Sequence, residues 1–333
     1  MKHSSQVSKN DGISRRLAWQ SMLAVTIPST SVLAQGSGLT KLVVPFTPGA
    51  SNDVIGRMMA EAMAKRTGKS WIVENRPGAG SMLGAEVVAK SVPDGHTLLL
   101  CASANMGILP AIQKSMRYAV ERDFAFLVRI ASSPFVLVVH SQLPVTDFSD
   151  FVKLAKSKPG SIRIGSAGVG SLDYMGASLL QSQLGLELNI IPYKGMTPVL
   201  NDLRAAHIDA AIVSPATIRP LVAEGKVRVL AVLDKQRSDV MPQVPSSGEL
   251  GHPNLAVVNW WGIAGPSKIP AAVVDSLRQG MLDVLADPAF RKLLKEKGFE
   301  PAVLSGDEFA KFVSSDLKAW KNLASKANIM LEE

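Results

Sequence analysis

The chain has 333 residues, of which 47% are hydrophobic and 19% are charged. This length accommodates about two domains, and the composition is that of a globular protein, which excludes a disordered chain. The formal charge is +8, yet no run of lysine and arginine is interleaved with aromatic residues, so a nucleic-acid-binding protein is not expected. A mildly basic body favours an anionic ligand.

Residues 1–34 have the features of an export signal. Arg15 and Arg16 precede the apolar stretch 17–28, and the small residues of SVLA suit cleavage after Ala34. A membrane anchor is the alternative, but polar residues interrupt the stretch before the roughly 20 apolar residues that a span requires. We therefore expect a periplasmic protein that begins near Gln35, with general secretory and twin-arginine export both open.

Apolar runs alternate with helical patterns along the rest of the chain, which is typical of a parallel-sheet α/β protein. The strands are predicted at 41–46, 71–75, 96–102, 135–140, 161–167, 189–193, 209–214 and 227–233. Helices are predicted at 53–66, where Gly68 ends the helix, from the glycine-rich segment after residue 75 to about Ser91, and from Ser171 to about Leu184. Cys101, the only cysteine, lies in an apolar strand and is expected to be a buried thiol.

The pattern changes after Asp234. A connection rich in proline and glycine (241–255) leads to the sequence NWWGIAGP and then to three helical stretches. The middle block thus forms its own strand and helix set, and the flanking blocks have to close around a second core. We predict lobe 1 at 35–133 and 234–333 and lobe 2 at 134–233, each a mostly parallel sheet flanked by helices, with a ligand cleft between the lobes.

Two loops between a strand and a helix stand out, one in each predicted lobe. They are PFTPGASND (45–53) and GSAGVGSLD (165–173). Small residues let the backbone approach a ligand, and the free N–H groups at the start of the following helix favour a carboxylate or a phosphate. The alternative for each loop is that Ser51 and Ser171 are ordinary N-caps. Two such loops in opposite lobes favour a shared anion site.

The chain resembles the Bug receptors, which are the solute-binding proteins of tripartite tricarboxylate transport. The resemblance runs from about Lys41 to the C-terminal helix and is carried by VVPFTPGASND, VENRPGAG, VVAKSVPDGHTLLL, LPVTDF, IGSAGVGS and IPYKGMTPVLNDL. It implies a two-lobed periplasmic binding fold of type II-like organisation that closes on a small carboxylated solute without a cofactor or a metal. It also implies a monomer that delivers its solute to membrane subunits of such a transporter or to a sensor protein.

The resemblance implies that backbone amides of the two loops recognise much of the carboxylate. The first loop supplies Phe46, Thr47, Pro48, Gly49, Ala50, Ser51, Asn52 and Asp53, and the second supplies Ser166, Ala167, Gly168, Gly170 and Ser171. The chain departs from the family pattern at Ala50, at Asn52 and at the segment 172–174. Asp173, in that segment, either pairs with an amine on the solute or caps its own helix.

Five further positions are candidates. Ser103 follows the third predicted strand and faces the cleft or solvent, and Lys194 pairs with a second acid group or packs on Tyr193. Ser214 ends a predicted strand and offers a hydroxyl. The tryptophans at 260 and 261 belong to the core or the hinge, or one of them forms a wall of the ligand pocket.

Two enzyme classes are the alternatives to a binding protein. GAGSMLG (78–84) matches a relaxed dinucleotide fingerprint and suggests an NADP-dependent oxidoreductase, but the end of the next strand offers neither an acid for a ribose nor an arginine for a 2′-phosphate. An exported hydrolase is the other alternative, and the sequence has neither a GxSxG nor an HExxH motif. The sequence therefore predicts a receptor and not an enzyme.

Overall fold

The computed structural model describes residues 38–331, so the predicted export signal lies outside the described residues. Its strands and helices alternate as the apolar pattern predicts. The strands are β1 (Leu39–Val44), β2 (Ser70–Asn75), β3 (Thr97–Ala102), β4 (Phe124–Pro134), β5 (Val136–His140), β6 (Arg163–Ser166), β7 (Asn189–Pro192), β8 (Ala210–Val213), β9 (Val227–Val232), β10 (Val258–Pro266) and β11 (Glu300–Ser305).

The helices cover both sheets. They are α1 (Ser51–Thr67), α2 (Met82–Ala89), α3 (Leu109–Ile112), α4 (Val120–Asp123), α5 (Phe148–Ser157), α6 (Leu172–Leu184), α7 (Met196–Arg204), α8 (Pro215–Ala223), α9 (Ala271–Ala286), α10 (Pro288–Glu296) and α11 (Gly306–Ala327). Helix α1 ends as expected at Gly68, whose left-handed φ of 66° lets its N–H bond to the Ala64 carbonyl. In the described part of the chain, none of these helices has the length and apolar content that a bilayer span demands.

The strands form two sheets, which confirms the two-lobed α/β organisation. The first sheet has the order β11-β4-β10-β3-β1-β2, and the second has the order β7-β6-β8-β5-β9. The assignment of 134–233 to one lobe and of the flanking segments to the other stays a prediction.

The expectation that the sheets are mostly parallel needs correction, because both sheets are mixed. β10 runs antiparallel to β3 and β4, β11 is antiparallel to β4, and β5 is antiparallel to β8 and β9. The reason is where the chain re-enters each sheet. β5, β10 and β11 all begin at the edge where the parallel strands end, so each must run the other way.

The inner strands of each sheet, such as β3 and β5, are buried on both faces, which explains why they are continuously apolar. Side chains alternate between the faces: Leu42 and Val44 pack under α1, while Val43 contacts the cluster of α2 and α11 on the other face. In the second sheet, Leu137 and Val138 point to opposite cores in the same way. The continuous apolar pattern predicted the positions of the strands correctly, but it carries no information on whether neighbouring strands run parallel or antiparallel. The Cys101 thiol is fully buried as expected, and burial raises its pKa.

Three strands were not predicted. β4, β10 and β11 cover 124–134, 258–266 and 300–305, and they occupy one side of the first sheet. The three helical stretches after β10 are confirmed as α9, α10 and α11, with β11 between the last two. β10 and β11 start at the edge of the sheet where β3 and β4 end.

Candidate functional site

A cavity of about 540 Å³ lies between the carboxyl ends of the parallel strands of the two sheets. Loops at such strand ends are where open α/β sheets bind ligands. The volume falls in the range of small-molecule sites. The residues that line the cavity are Gly49, Ser51, Val54, Ser133, Phe135, Ala167, Asp173, Met196, Val213, Ser214, Ala216, Thr217, Asn259, Trp261, Lys297, Gly298 and Phe299.

The first loop opens the N-terminus of α1 toward this cavity. Ala50 is the N-cap residue, so Ser51 is the first helical residue and not the cap that the alternative interpretation predicted. The backbone N–H groups of Ser51, Asn52 and Asp53 have no hydrogen-bond acceptor within residues 38–331. They are the unsatisfied donors of a helix start, and Gly49 and Ser51 lie on the cavity wall.

The Asp53 side chain fixes the conformation of the first loop. Its carboxylate is almost fully buried and accepts hydrogen bonds from the Gly49 N–H, the Arg57 Nε and the Asn75 Nδ2, each at 2.9 Å. Burial alone raises the pKa of Asp53, but the hydrogen bonds from Arg57, Gly49 and Asn75 outweigh it, so the pKa is lowered. An ionised Asp53 therefore uses the Gly49 amide, and this amide is not free for a solute.

The second loop is held in the same manner by Asp173. The side chain is 5% exposed and accepts a hydrogen bond from the Ala167 N–H, and burial raises its pKa. Ser171 is the N-cap of α6, since its Oγ accepts from the Tyr174 N–H at 3.3 Å. The capping alternative is therefore confirmed for Ser171, and Asp173 binds the loop backbone.

A third helix start reaches the cavity in addition to the two predicted loops. Ser214 is the N-cap of α8, and its Oγ is 2.7 Å from the Thr217 Oγ1. Both residues line the cavity, as does Ala216. From the sequence, only the Ser214 hydroxyl was predicted as a ligand group. A Ser-Pro pair after an apolar strand also indicates a helix start, since proline is common at the first helical position. This signal was missed.

Aromatic side chains form one wall of the cavity. The sequence predicted only a tryptophan in this wall. Trp261 of β10 and Phe299, just before β11, meet edge to face with ring centroids 5.0 Å apart. The Trp261 Nε1 donates to the Asn52 Oδ1 at 2.6 Å, which ties the wall to the first loop. Phe135, between β4 and β5, lines the same cavity. Phe135 and Phe299 were missed because their strands begin at the cleft only in the folded chain.

Five of the predicted site residues line the cavity, namely Gly49, Ser51, Ala167, Asp173 and Ser214. Three others support it: Asn52 and Asp53 through the hydrogen bonds above, and Ser103, whose Oγ donates to the cavity residue Asn259 at 2.6 Å. The remaining predicted residues do not line it: Phe46, Thr47, Pro48, Ala50, Ser166, Gly168, Gly170, Ser171 and Lys194.

Several of these remaining residues have other roles. Gly170 has φ 83° and faces Ile112 and Leu331 beside α3, where an added Cβ would be 2.7 Å from the Ile112 Cδ1. The Gly168 carbonyl accepts from the Ser171 N–H and Oγ. Lys194 is exposed in the turn before α7. Ser166 is fully buried, with no hydrogen-bond partner for its Oγ among the described residues.

A second cavity of similar volume lies away from these strand ends, between α6 and α11. Its lining includes Asp316, which accepts from the Trp260 Nε1 at 2.9 Å, and Trp320. Trp260 itself is fully buried in the core of the first sheet. Within residues 38–331, no group of three or more His, Cys, Asp or Glu side chains is arranged to hold a metal ion.

A model of the tripartite tricarboxylate transporter family receptor matches residues 55–329. The chain belongs to this receptor family. A protein encoded between tcbD and tcbE in Pseudomonas sp. (strain P51) is 32% identical over 326 residues, which is 96% of this chain and 97% of that protein. Protein BugT of Bordetella pertussis is 28% identical over 293 residues, or 88% of this chain and 90% of BugT. The resemblance to the Bug receptors is thereby confirmed.

Three solved structures share the fold. The R. palustris protein Rpa4515 with adipate has 28% identity and a TM-score of 0.74, covering 88% of this chain and 98% of that one. MatC from Rhodopseudomonas palustris with bound malate has 28% identity and a TM-score of 0.69, with 86% and 98% covered. The periplasmic binding protein BugD has 28% identity and a TM-score of 0.70, with 88% and 99% covered.

Proposed function

We propose that this protein is a periplasmic receptor that captures a small carboxylated solute between its two lobes. The observation that carries the proposal is the start of α1, where three backbone N–H groups without an acceptor open on a cavity shared with the start of α8. Such donors and the positive end of the helix dipole favour a carboxylate. Adipate and malate, the ligands of the two related structures, are small carboxylates.

The two lobes are proposed to be 35–133 with 234–333 and 134–233, and to close on the solute. What supports this division is that β4 leads into β5 through Phe135 alone, while the chain returns through 233–257. Phe135 of the first crossing lines the cavity, and its backbone hydrogen bonds with Leu233 and Val257 place the two crossings side by side, as a hinge requires. The predicted residues of the first loop, the second loop and Ser214 would then meet the solute from opposite sides.

The solute leaves the receptor unconverted in this proposal, and the oxidoreductase alternative finds no support. Gly78, Gly80 and Gly84 of the proposed fingerprint are outside the cavity lining. An added Cβ at Gly80 would be 3.3 Å from Leu109, and one at Gly84 would be 2.7 Å from Pro45, so these glycines allow packing. The exported hydrolase alternative is likewise unsupported by the receptor relatives.

Membrane subunits of a tripartite transporter, or a sensor protein, are proposed as the recipients of the loaded monomer, on the strength of the family to which the chain belongs. Nucleic acid is not an expected partner. Export is proposed to remove residues 1–34. Protein recovered from a periplasmic fraction should give an N-terminal sequence that starts near Gln35, whereas soluble protein that retains Met1 would contradict this localisation.

A thermal-shift screen tests the binding function. Adipate, malate and benzoate are added to the purified protein, with NADP as the control. A ligand that binds only the folded state adds about 2.7 kcal/mol of stability at a hundred times its Kd. At least one carboxylate should raise the Tm and NADP should not. Stabilisation by NADP, with no effect of any carboxylate, would contradict the proposal.

A further inference from the structure

We infer that the cleft selects an acid with a second oxygen group, and that the side-chain amide of Asn259 binds this second oxygen in an orientation fixed by Ser103. The inference rests on the proposed function and specifies the class of its solute. The second group is a hydrogen-bond acceptor, which a hydroxyl or a second carboxylate supplies. What points to it is a pair of polar side chains on β4 and β10 that line the cavity.

Asn259 and Ser133 form this pair on one face of the first sheet. They lie directly opposite each other on the antiparallel strands β10 and β4, so their side chains are neighbours. Ser133 is 7% exposed, yet its Oγ and the Asn259 Nδ2 have no hydrogen-bond partner within residues 38–331. Unlike the Ser166 Oγ, neither atom is enclosed by protein, so both are open to the cavity that the two residues line.

Ser103 determines which end of the Asn259 amide faces the cavity. The Ser103 side chain is buried after β3, and its Oγ donates to the Asn259 Oδ1 at 2.6 Å, a length typical of O–H···O bonds. Because the carbonyl end of the amide is bonded to Ser103, the Nδ2 end is left for the solute. An Nδ2 group only donates hydrogen bonds. It therefore favours an oxygen acceptor and disfavours an ammonium group.

The pair lies near the proposed carboxylate site at the start of α1. Trp261 is two residues beyond Asn259 on the same face of β10, and its Nε1 donates to the Asn52 Oδ1 of α1. Two residues of a strand span about 7 Å. A solute whose carboxylate binds the α1 amides therefore needs only a short carbon chain to bring a second oxygen to Asn259 and Ser133.

The two charged residues of the lining, Asp173 and Lys297, are the competing partners for the second group. Asp173 would favour an ammonium, but its buried carboxyl already accepts the Ala167 N–H. Lys297 would favour a second carboxylate, but it is exposed where α10 ends, and ion pairs in contact with solvent are weak. The experiment below separates these two residues from Asn259.

Isothermal titration compares hexanoate with three acids that differ from it at the far end of the chain, namely 6-hydroxyhexanoate, adipate and 6-aminohexanoate. We expect 6-hydroxyhexanoate to bind about two- to tenfold tighter than hexanoate, and adipate about ten- to hundredfold tighter, because hydrogen bonds to a charged oxygen are stronger. 6-Aminohexanoate should gain nothing over hexanoate. The corresponding five-carbon acids repeat the comparison at a shorter spacing. A gain for one oxygen acid alone identifies which oxygen group the pair accepts.

Asn259→Asp should reverse the preference. This substitution keeps an oxygen for Ser103 and places a carboxylate oxygen where the Nδ2 was. The variant should lose the preference for adipate over hexanoate and bind 6-aminohexanoate about tenfold or more tighter than the parent protein does. Asn201→Asp is the matched control, since it adds the same charge on an exposed position of α7 outside the cavity lining, and it should keep the preference of the parent.

Ser103→Ala tests the orientation of the amide. Without the bond from Ser103, Asn259 presents either end to the cavity, so the affinity ratio of adipate to 6-aminohexanoate should fall. A role of Ser103 in stability only would weaken all four acids equally and keep this ratio, which would contradict its positioning role. Should Asn259→Asp fail to fold, Ser133→Ala decides in its place, because it removes the other member of the pair and should lower the ratio of adipate to hexanoate.

The outcomes distinguish this inference from the proposed function. Equal affinities for hexanoate and both oxygen acids overturn the second oxygen group and leave a carboxylate receptor. Tightest binding of 6-aminohexanoate by the parent protein overturns it as well and assigns the second group to Asp173. If the preference for adipate is lost in Lys297→Met and kept in Asn259→Asp, the lysine binds the second group and the role of Asn259 is wrong. Absence of binding for every acid overturns the proposed function and the inference together.

Discussion

At the residue scale, the acidic side chains of the first and second loops show why acidic residues are compatible with the proposed anion site. Asp53 and Asp173 each accept a backbone N–H of their own loop, from Gly49 and Ala167 respectively. Each carboxyl group thus fixes the conformation of its own loop. The first amides of α1 have no acceptor of their own, so they are free for the solute of the proposed function. Residue type alone did not reveal this division of roles.

Gly49 tests the geometry of the first loop. Its φ is 83° and an added Cβ would have nothing within 4 Å, so Gly49→Ala introduces backbone strain without a steric clash. The cost should be about 1–2 kcal/mol of folding stability, because an L-residue disfavours this conformation. Relaxation of the turn would shift the α1 amides, and the affinity for the bound carboxylate should fall about tenfold or more.

Gly68 supplies the matched control for this measurement. Gly68 ends the same helix with φ 66°, again with nothing within 4 Å of an added Cβ. Gly68→Ala should lower the Tm by a similar amount and leave the affinity in isothermal titration unchanged. Equal affinities for the two variants would show that the first loop does not shape the carboxylate site.

At the element scale, α11 carries a half-buried acid on its inner face. The Asp316 carboxylate accepts from the Trp260 Nε1 of β10, and Arg129 of β4 lies near enough to lower its pKa. Burial is the larger influence and raises the pKa of Asp316 to about 6. The helix therefore holds a charge that costs stability at neutral pH.

Asp316→Asn tests this cost through its pH dependence. The pKa of the Asp316 carboxyl rises from 3.8 in the unfolded chain to about 6 in the folded protein. Between these pH values folding takes up a proton, so a rise in pH through this range lowers the free energy of unfolding. The substitution keeps an acceptor for the indole and should add about 3 kcal/mol to the free energy of unfolding at pH 7. The gain should vanish near pH 4.

Denaturant titrations at pH 4 and pH 7 measure the effect. Ser315→Ala changes the exposed neighbour of Asp316 on α11 and should leave the pH dependence as it is in the parent protein. A loss of stability in Asp316→Asn at pH 7 would show that the ionised carboxylate is needed by its partners, and the cost assigned to its burial would be wrong.

At the scale of the whole molecule, a small apolar cluster connects the two sheets through their helices. Met175 of α6 is fully buried and packs with Ile108, Ile112, Trp320 and Leu323. Helix α6 also covers the second sheet, whereas α3 and α11 belong with the first. Because the cluster is shared, unfolding of one lobe exposes apolar surface on the other, and this couples the two lobes.

Met175→Ala should weaken this coupling. Removal of a buried methionine side chain costs about 2–5 kcal/mol. Leu180→Ala is the matched control, since Leu180 is equally buried on α6 but packs inside the core of the second sheet. Calorimetry should show a lower ratio of van't Hoff to calorimetric enthalpy for Met175→Ala than for Leu180→Ala. The same ratio in both variants would contradict a coupling role for this cluster.

The sequence by itself determined the local elements and the fold class. Apolar runs predicted eight of the strands, and the inner ones, such as β3 and β5, are continuously apolar because both faces of the sheet are covered there. Gly68 marked the end of α1, since its left-handed conformation is one that glycine adopts without cost. The first and second loops were placed correctly at strand ends for the same local reasons.

Only the tertiary structure decided how these pieces face one another. Strand direction in β5 and β10 depends on the edge at which the chain enters each sheet, and no periodicity along the chain records that edge. Phe299 and Lys297 reach the cavity because α10 returns the chain to the cleft. The sequence thus specified two loops that lead from strand ends into helices, while long-range packing supplied the aromatic wall beside the first of them.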